Sequence, residues 1–434
     1  MERVTVLGAG LAGSECAWQL AKRGIPVRLI EMKPLKMSPA HHSADFAELV
    51  CSNSLRSDEL TNAVGLLKEE MRRLGSLIME SADRNRVAAG GALAVDREGF
   101  SRTITQSLES CPNIEIIHAE ADRIPDGEVV IATGPLSSDV IAERIAELCP
   151  ESDLHFYDAV APIVTLESVD MESAFFASRY DKGTADYVNC PMDRDEYLAF
   201  VSELVSAKEA EVHGFDDAGV FEGCMPVEVM ARRGVDTLRY GPLKPVGLRD
   251  PRTGRENYAV VQLRQDNADG TLYNLVGFQT HLTWGEQKRV FSMIPALRNA
   301  EFVRYGVMHR NTYLNSPQLL DRYYRLRSDP RISFAGQMTG VEGYIESAAS
   351  GLAAGICTAF ALAGKTEPDF TRRTAVGALA HYIAEGPETG AFQPMNINFG
   401  IMEPLERRGR KRDRKSAMAQ RALETMRTIR EELT

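Results

Sequence analysis

A glycine-rich segment near the start of the chain has the residue types and spacing that bind a dinucleotide. Gly8 allows a tight turn, Gly10 lets the backbone approach a pyrophosphate, and Gly13 permits close contact between helix and strand. An apolar stretch at 3–7 precedes the segment and a helical pattern at 14–23 follows it, so helix N–H groups would face the phosphates. The residues predicted to bind the cofactor here are Gly8, Ala9, Gly10, Leu11, Ala12 and Gly13.

An acidic residue stands where a dinucleotide-binding unit needs one. Glu31 lies 18 residues after Gly13, at the end of a predicted strand at 27–30. A carboxylate at this place accepts hydrogen bonds from the adenosine ribose. Strand, helix and acid together predict a complete cofactor-binding unit rather than an isolated glycine loop.

Two distant segments favour FAD over NAD. The segment 128–134 resembles the second glycine-ended strand of flavoproteins of the glutathione-reductase type. The segment 331–337, with the Ala-rich helix predicted at 346–362, resembles their C-terminal flavin strand and helix, although that family usually has an acid where this chain has Gln337. A core strand and a packed helix are the alternative explanation. The residues predicted to contact the cofactor here are Thr133, Gly134, Gly336 and Gln337.

The cysteines indicate neither a disulfide framework nor a zinc site. They are odd in number and widely spread, and none forms a CxxC pair. Arg232 and Arg233 would favour a thiolate at Cys224, whereas Glu222 and Glu228 would oppose it. Spacing alone singles out none of the seven, which are residues 16, 51, 111, 149, 190, 224 and 357.

Composition is that of an ordinary globular protein. The 434 residues are 44% hydrophobic and 26% charged, which excludes intrinsic disorder. The formal charge of −11 excludes a purely electrostatic binder of nucleic acid, although a local basic patch stays possible. Without an apolar signal region or a stretch approaching the roughly 20 residues of a membrane span, the chain is predicted to be cytoplasmic.

The pattern of elements predicts an α/β protein with a Rossmann-like FAD-binding domain of the glutathione-reductase type and an inserted β-rich α+β domain. The first part of the FAD-binding domain is expected at 1–155, the insertion at 156–329, and the second part with C-terminal helices at 330–434. Further helices are predicted at 63–77, at 96–108 and from 416 onward, and loops at 40–62 and 386–404.

Longer motifs carry a more specific resemblance that runs over essentially the whole chain. Together they resemble the folate- and FAD-dependent tRNA uracil-5 methyltransferases. Related flavoproteins that modify the wobble uridine share the glycine motif and the AGQ…GY segments but lack the two cysteine motifs. The motifs are VCSNS (50–54), VGLLKEEMR (64–72), VDRE (95–98), FEGCMP (221–226), YGPLKPVGL (240–248), GFQT (277–280) and GVMHRN (306–311).

The resemblance implies the reaction and its participants. Reduced FAD would take the methylene of methylenetetrahydrofolate and pass it to C5 of uridine 54 in the tRNA T-loop, forming ribothymidine, after NADH or NADPH has reduced the flavin. By family position Cys224 is the candidate nucleophile for uracil C6 and Cys51 the second catalytic or flavin-proximal thiol. The implied partners are tRNA, folate and NAD(P)H, with no membrane, metal or obligate protein partner.

Two other functions stay open at this point. One is another flavin-dependent tRNA-uridine modifier that acts with a partner protein, and the other is a non-catalytic flavin protein that binds tRNA or senses redox state. The basic run at 407–415 is either a solvated surface or a tRNA contact. His41 and His42 lack a third ligand at metal spacing and are expected to be a solvated pair.

Overall fold

The computed structural model describes residues 3–38, 40–149, 154–159, 161–181, 183–210, 225–306, 308–387, 392–405 and 411–433. The first third of the chain contains β1 (Val4–Leu7), α1 (Leu11–Lys22), β2 (Val27–Glu31), β3 (Ser54–Ser57), α2 (Ala63–Arg73), α3 (Leu77–Arg84), β4 (Arg86–Val87), β5 (Ala92–Val95), α4 (Arg97–Glu109), β6 (Ile114–His118), β7 (Val129–Ile131) and α5 (Asp139–Leu148).

The middle of the chain is richer in strands. It contains β8 (Leu154–Ala159), β9 (Ile163–Thr165), β10 (Phe175–Ala177), β11 (Tyr187–Met192), α6 (Arg194–Ser206), α7 (Val227–Arg232), α8 (Thr237–Tyr240), β12 (Ala259–Gln265), β13 (Leu272–Leu275), α9 (Trp284–Phe291), β14 (Phe302–Arg304), β15 (Met308–Tyr313) and α10 (Ser316–Leu319). The remainder contains β16 (Arg325–Leu326), β17 (Asp329–Phe334), α11 (Tyr344–Leu362), α12 (Ala375–Glu385) and α13 (Lys411–Glu432).

The first large sheet has the order β16-β17-β7-β1-β2-β6 and is parallel except for β16. Counted along the chain, its five parallel strands have the spatial order 3-2-1-4-5, which is that of a Rossmann-type half. Leu7 pairs with Ile131, and Ile131 pairs with Phe334. The three glycine-containing turns that follow these strands therefore lie side by side at one edge of the sheet.

The second large sheet is antiparallel and has the order β10-β11-β12-β13-β9-β14. Its own hydrophobic core contains residues between Val164 and Ala300, whereas the core of the first sheet contains residues up to Cys149 and again from Leu314 onward. β8 and β15, which lie in the two connections between these cores, pair with each other. Residues 314–329 therefore pack with the first core, and the exact division into domains stays a prediction.

Helix α11 packs directly on α1. A Cβ added at Gly351 would lie 2.1 Å from the carbonyl oxygen of Ala12, and one at Gly355 would lie 2.8 Å from that of Cys16. α11 is also long and apolar enough to cross a membrane, contrary to the expectation that no stretch approaches a membrane span, but 83% of its apolar window is buried inside the protein. It is a core helix, and its close contact with α1 holds the turn after β1 next to the turn after β17.

Several predicted boundaries were wrong. The helix expected over 63–77 ends at Arg73, because Gly75 adopts a φ of +71° and Ser76 then caps α3 by accepting a hydrogen bond from the Met79 N–H. The expected loop at 40–62 contains β3, and the C-terminal helix begins at Lys411 rather than at residue 416. The described part of 386–404 contains no helix or strand, as expected.

Candidate active site

The first glycine turn is tightly enclosed on one side and open on the other. A Cβ added at Gly13 would lie 1.8 Å from the carbonyl oxygen of Gly8, and one at Gly8, whose φ is +91°, would lie 2.7 Å from that of Ala132. Nothing lies within 4 Å of a Cβ added at Gly10. The turn therefore presents open backbone at the N-terminus of α1, which fits a pyrophosphate group.

Glu31 holds this turn in place. Its carboxylate accepts hydrogen bonds from the Ala9 N–H at 2.7 Å and the Lys33 N–H at 2.9 Å. It also lines a recess together with Gly8, Thr133 and residues of 119–121 and 137–141. Contact between Glu31 and an adenosine ribose at this recess stays a prediction.

The third turn joins β17 to α11. Gly336, with a φ of +89°, donates its N–H to the Ser350 hydroxyl at 2.7 Å, and a Cβ at this residue would lie 3.1 Å from the Ala12 side chain. Gln337 donates its amide N–H to Glu342 at 2.8 Å. The amide nitrogen of Gln337 is thus already bonded to a carboxylate, and contact between Gln337 and a cofactor stays a prediction.

Cys51 contacts the side chain of Tyr344, the first residue of α11. The Tyr344 hydroxyl oxygen accepts the N–H groups of Cys51 at 2.8 Å and Ser52 at 3.2 Å, and it lies 2.8 Å from the Cys51 Sγ. Burial, reinforced by Cys51, raises the pKa of Tyr344 well above its ordinary value. Because the phenol keeps its proton and its oxygen accepts two donors, we infer that the O–H donates to the sulfur, which favours negative charge there.

Two arginines lie close to residues 49–53, which we call the Cys51 loop. Arg97 forms a two-pronged ion pair with Asp266 at 3.0 Å and donates to the Leu49 carbonyl oxygen at 2.5 Å. Arg264 donates to the Ser52 hydroxyl at 2.6 Å, and burial lowers its pKa. Positive charge near a half-buried thiol is the environment in which a cysteine becomes reactive.

Asn53 fixes the Cys51 loop to both large units of the fold. The first unit is the part of the chain that packs in the first hydrophobic core, and the second unit is the part that packs in the second core. Its side-chain N–H groups donate to the Val95 carbonyl oxygen at 3.0 Å and the Gln265 carbonyl oxygen at 2.8 Å, and its oxygen accepts from Arg264 at 3.2 Å. Val95 belongs to β5 and Gln265 to β12, so the loop lies where the two units meet.

A second group of charges supports the residues just after this loop. Arg56, whose φ is +62°, forms an ion pair with the fully buried Glu346 of α11. Lys68 donates to the carbonyl oxygens of Leu55 at 2.6 Å and Ser57 at 2.7 Å, and burial lowers its pKa to about 7. These contacts fix the turn that carries Arg56 to the first turn of α11.

The other described cysteines have different surroundings. Cys16, Cys190 and Cys357 are completely buried and burial raises the pKa of each, while burial raises the pKa of Cys149 to about 11. Cys51 is only half-buried, and its sulfur contacts the hydroxyl of a phenol. The structure therefore distinguishes Cys51 where spacing alone did not.

Cys224 belongs to the segment 211–224, which lies outside the described residues. On the C-terminal side of that segment, Glu228 accepts hydrogen bonds from the Thr280 hydroxyl and the His281 N–H, both at 2.8 Å. On its N-terminal side, Glu209 lies 2.8 Å from the His281 Nε2 and forms an ion pair with Arg232. Arg232, expected to favour a thiolate at Cys224, is thus bound to a carboxylate.

The predictions for the pair of histidines and for the basic run have different outcomes. His41 lies 2.5 Å from the Ser38 hydroxyl, and burial, reinforced by Lys33, lowers the pKa of this histidine, so it is not the solvated side chain that we expected. No group of three metal-ligating side chains occurs in the described part of the chain. Residues 407–410 of the basic run lie outside the described residues, as do the side chains of 411 and 412, so its role stays a prediction.

Comparison with known proteins decides the family. A family model described as "Glucose inhibited division protein A" matches residues 3–366. The protein of Acetivibrio thermocellus named "Methylenetetrahydrofolate--tRNA-(uracil-5-)-methyltransferase TrmFO" is 60% identical over 429 residues, 98% of each chain. Proteins of the same name from Staphylococcus aureus, among them that of strain JH9, are 57% identical over 433 residues, the whole of both chains. The chain belongs to this methyltransferase family.

A solved structure agrees on the fold. The chain is similar to GidA of Aquifex aeolicus in its form II crystal, with a TM-score of 0.70 at 15% identity, over 99% of this chain and 74% of that one. The family resemblance and the α/β, Rossmann-like fold predicted from the sequence are thereby confirmed. Tyr344, Arg97 and Arg264 were not predicted as site residues, although Tyr344 lies within the AGQ…GY segment that suggested a flavin helix.

Proposed function

We propose that this chain is a methyltransferase that moves the methylene of methylenetetrahydrofolate to C5 of uridine 54 in the tRNA T-loop, giving ribothymidine. The observation that carries the proposal is the contact of the Cys51 sulfur, at 2.8 Å, with the hydroxyl oxygen of Tyr344, the first residue of the helix that follows the third glycine turn. Full-length relatives that are 57–60% identical and bear the methyltransferase name support the same reaction.

Cofactor binding follows from the turns. Gly8, Gly10 and Gly13 would hold the pyrophosphate of FAD, Glu31 the adenosine ribose, and the N-terminus of α11 the flavin ring. When bound and reduced by NADH or NADPH, FAD supplies the electrons and the carrier atom for the one-carbon unit. Closer similarity to the glutathione-reductase type rests on the paired turns at 133–134 and 336–337.

The two cysteines have separate roles in the proposal. C5 of uracil is a poor nucleophile until a group adds to C6, and the Cys224 thiolate would make that addition. Cys51, whose sulfur lies 2.8 Å from the Tyr344 hydroxyl oxygen, would act beside the flavin. The target base must leave its stack to reach both groups, at a cost of a few kcal/mol that contacts to the extruded ring recover.

The remaining parts of the proposal concern organisation. We place an FAD-binding domain at 1–155 and 330–434, an inserted domain at 156–329, and the protein in the cytoplasm without an obligate protein partner. The two separate hydrophobic cores support an insertion of this kind, although residues 314–329 pack with the first core rather than with the second.

The direct test is ribothymidine formation from unmodified tRNA, labelled methylenetetrahydrofolate and NADPH, with the FAD-loaded protein alone. We expect product with wild type, none with Cys224→Ala, and near-normal product with the control Cys111→Ala, which changes a half-buried cysteine outside both motifs. Failure of wild type unless a second protein is added would instead indicate the partner-dependent uridine modifier. Failure under both conditions would indicate a non-catalytic flavin protein.

A second experiment assigns the nucleophile. A tRNA that carries 5-fluorouridine at the target should form a covalent complex with wild type and with Cys51→Ala, but not with Cys224→Ala. If the pattern of the two variants is reversed, the two roles must be exchanged.

A further inference from the structure

An exposed tryptophan forms the outer end of a stack of aromatic rings on the second unit. Trp284, the first residue of α9, is 64% exposed. Its ring lies 5.8 Å from that of Tyr305 at an interplanar angle of 14°, and Tyr305 lies 5.6 Å from Phe302 at 11°. The three rings are thus nearly parallel, and they form what we call the aromatic stack (Trp284, Tyr305 and Phe302).

The aromatic stack is rigidly supported from beneath. Phe302 contacts Phe291 of the second core at 6.4 Å. The buried Gln287 side chain donates to the carbonyl oxygens of Leu282 at 2.7 Å and Gly306 at 2.9 Å, and it accepts the Gly306 N–H at 2.7 Å. These bonds fix α9, which carries Trp284, to the segment that carries Tyr305. An exposed ring held this firmly offers a flat surface that needs little ordering when a ligand binds.

The neighbouring arginine links the aromatic stack to the thiol site. Arg304 directly precedes Tyr305, and its side chain forms no hydrogen bond or ion pair within the part of the chain that the structure describes. Burial and the like charge of Arg97 lower the pKa of Arg304, while Glu48 and Asp266 act in the opposite direction. Since Arg97 also donates to the backbone just before Cys51, Arg304 belongs to the cluster of charges around the thiol site. A partly buried guanidinium whose N–H groups have no partner among the described residues can bind an anion.

We propose that the outer face of Trp284 is a stacking platform for an unpaired nucleobase of the tRNA T-arm, with Arg304 binding a nearby phosphate of the same strand. This inference rests on the proposed function, which makes tRNA the substrate. Recognition of single-stranded RNA combines aromatic stacking with basic groups that follow the backbone. Stacking suits this chain, because its formal charge of −11 weakens purely electrostatic capture of RNA.

The fluorescence of Trp284 provides a direct readout. The chain has two tryptophans, and the other, Trp18, is partly buried against the first core. In a Trp18→Phe variant loaded with FAD, Trp284 is the sole tryptophan. Titration with a T-arm hairpin RNA should quench its emission, and a hairpin with an abasic nucleotide at the stacking position should bind without quenching.

Steady-state kinetics separate the platform from the chemistry. Trp284→Ala should raise KM for tRNA by about tenfold, the loss expected for one stacked base, while kcat at saturating tRNA and KM for methylenetetrahydrofolate stay within about twofold. Trp284→Phe should restore most of the affinity because it keeps an aromatic face. Tyr240→Ala, which removes an aromatic side chain that is 82% exposed elsewhere, should leave KM for tRNA unchanged.

Each contrary outcome has its own meaning. An unchanged KM for tRNA in Trp284→Ala, or RNA binding without quenching at any position, would overturn the inference while an active wild type leaves the proposed function intact. A rise in KM for methylenetetrahydrofolate instead of tRNA would overturn it in favour of a site for the aminobenzoyl-glutamate tail of the folate. Wild type that forms no ribothymidine would refute the proposed function itself.

Discussion

Removal of a single hydroxyl group tests whether Tyr344 controls the Cys51 thiol. In Tyr344→Phe the N–H groups of Cys51 and Ser52 lose their shared acceptor, and the sulfur loses its donor at 2.8 Å. An unsatisfied buried donor costs about 1–3 kcal/mol, and because this loop is only half-buried, water recovers part of the loss. We therefore expect the free energy of unfolding to fall by about 2 kcal/mol, a change that denaturant titration resolves.

The same substitution should make the thiol less reactive. Without the phenol O–H, negative charge on the sulfur is less stabilised, so alkylation of Cys51 by iodoacetamide at neutral pH should slow and its pH profile should move upward. Peptide mapping by mass spectrometry separates residue 51 from the other cysteines. Tyr197→Phe is the matched control, because its hydroxyl donates to a single carbonyl oxygen, that of Val235, at 2.6 Å. An unchanged alkylation rate and pH profile in Tyr344→Phe would refute the hydrogen-bond assignment.

Three further variants test other parts of the molecule. Gly13→Ala should purify without flavin absorbance, because the added Cβ would lie 1.8 Å from a backbone oxygen of the same turn; a yellow variant would contradict this. Burial raises the pKa of Glu70, which accepts two N–H groups at the start of α12, to about 8. The folded protein thus keeps a proton that the unfolded chain loses above pH 4.5. The free energy of unfolding of wild type should therefore fall relative to that of Glu70→Gln as the pH rises to about 8, by at most about 1.4 kcal/mol per pH unit. Parallel pH profiles of the two proteins in denaturant titrations would contradict this prediction. Replacing Arg410, Lys411 and Arg412 together by Ala should flatten the salt dependence of tRNA affinity by about 0.7–0.9 in log–log slope for each phosphate that is no longer neutralised, whereas an unchanged slope would make the run an ordinary solvated surface.

The glycine turns were predictable because their requirements are local. Gly8 needs a positive φ and Gly13 a close approach, and both constraints show as residue types at fixed spacing after an apolar strand. The position of Glu31 followed from the same unit. The β-rich middle of the chain was recognised as a class, but its helices α6, α7 and α9 were not located, because tertiary packing decides such elements.

The environment of Cys51 was not predictable from local pattern. Tyr344 lies 293 residues away along the chain, and Arg264 lies 212 residues from the Ser52 hydroxyl that it contacts. No periodicity or spacing rule brings such residues together, and only the family motifs pointed to this thiol. Cys224 shows the same limit, since it was selected by resemblance alone.

The contacts of Asn53 explain why the thiol site depends on the whole fold. Asn53 bonds to β5 in one unit and to β12 in the other, while Arg264 reaches the loop from the second sheet and Tyr344 from the helix that packs on α1. The charge and donor pattern around the Cys51 sulfur therefore exists only when both cores are formed and docked. A glycine turn can bind a pyrophosphate within a single βαβ unit, whereas the residues around Cys51 come from β5, from the second sheet and from α11. The aromatic stack of the second unit also lies near a residue of the first unit, because the like charge of Arg97 lowers the pKa of Arg304, which directly precedes Tyr305.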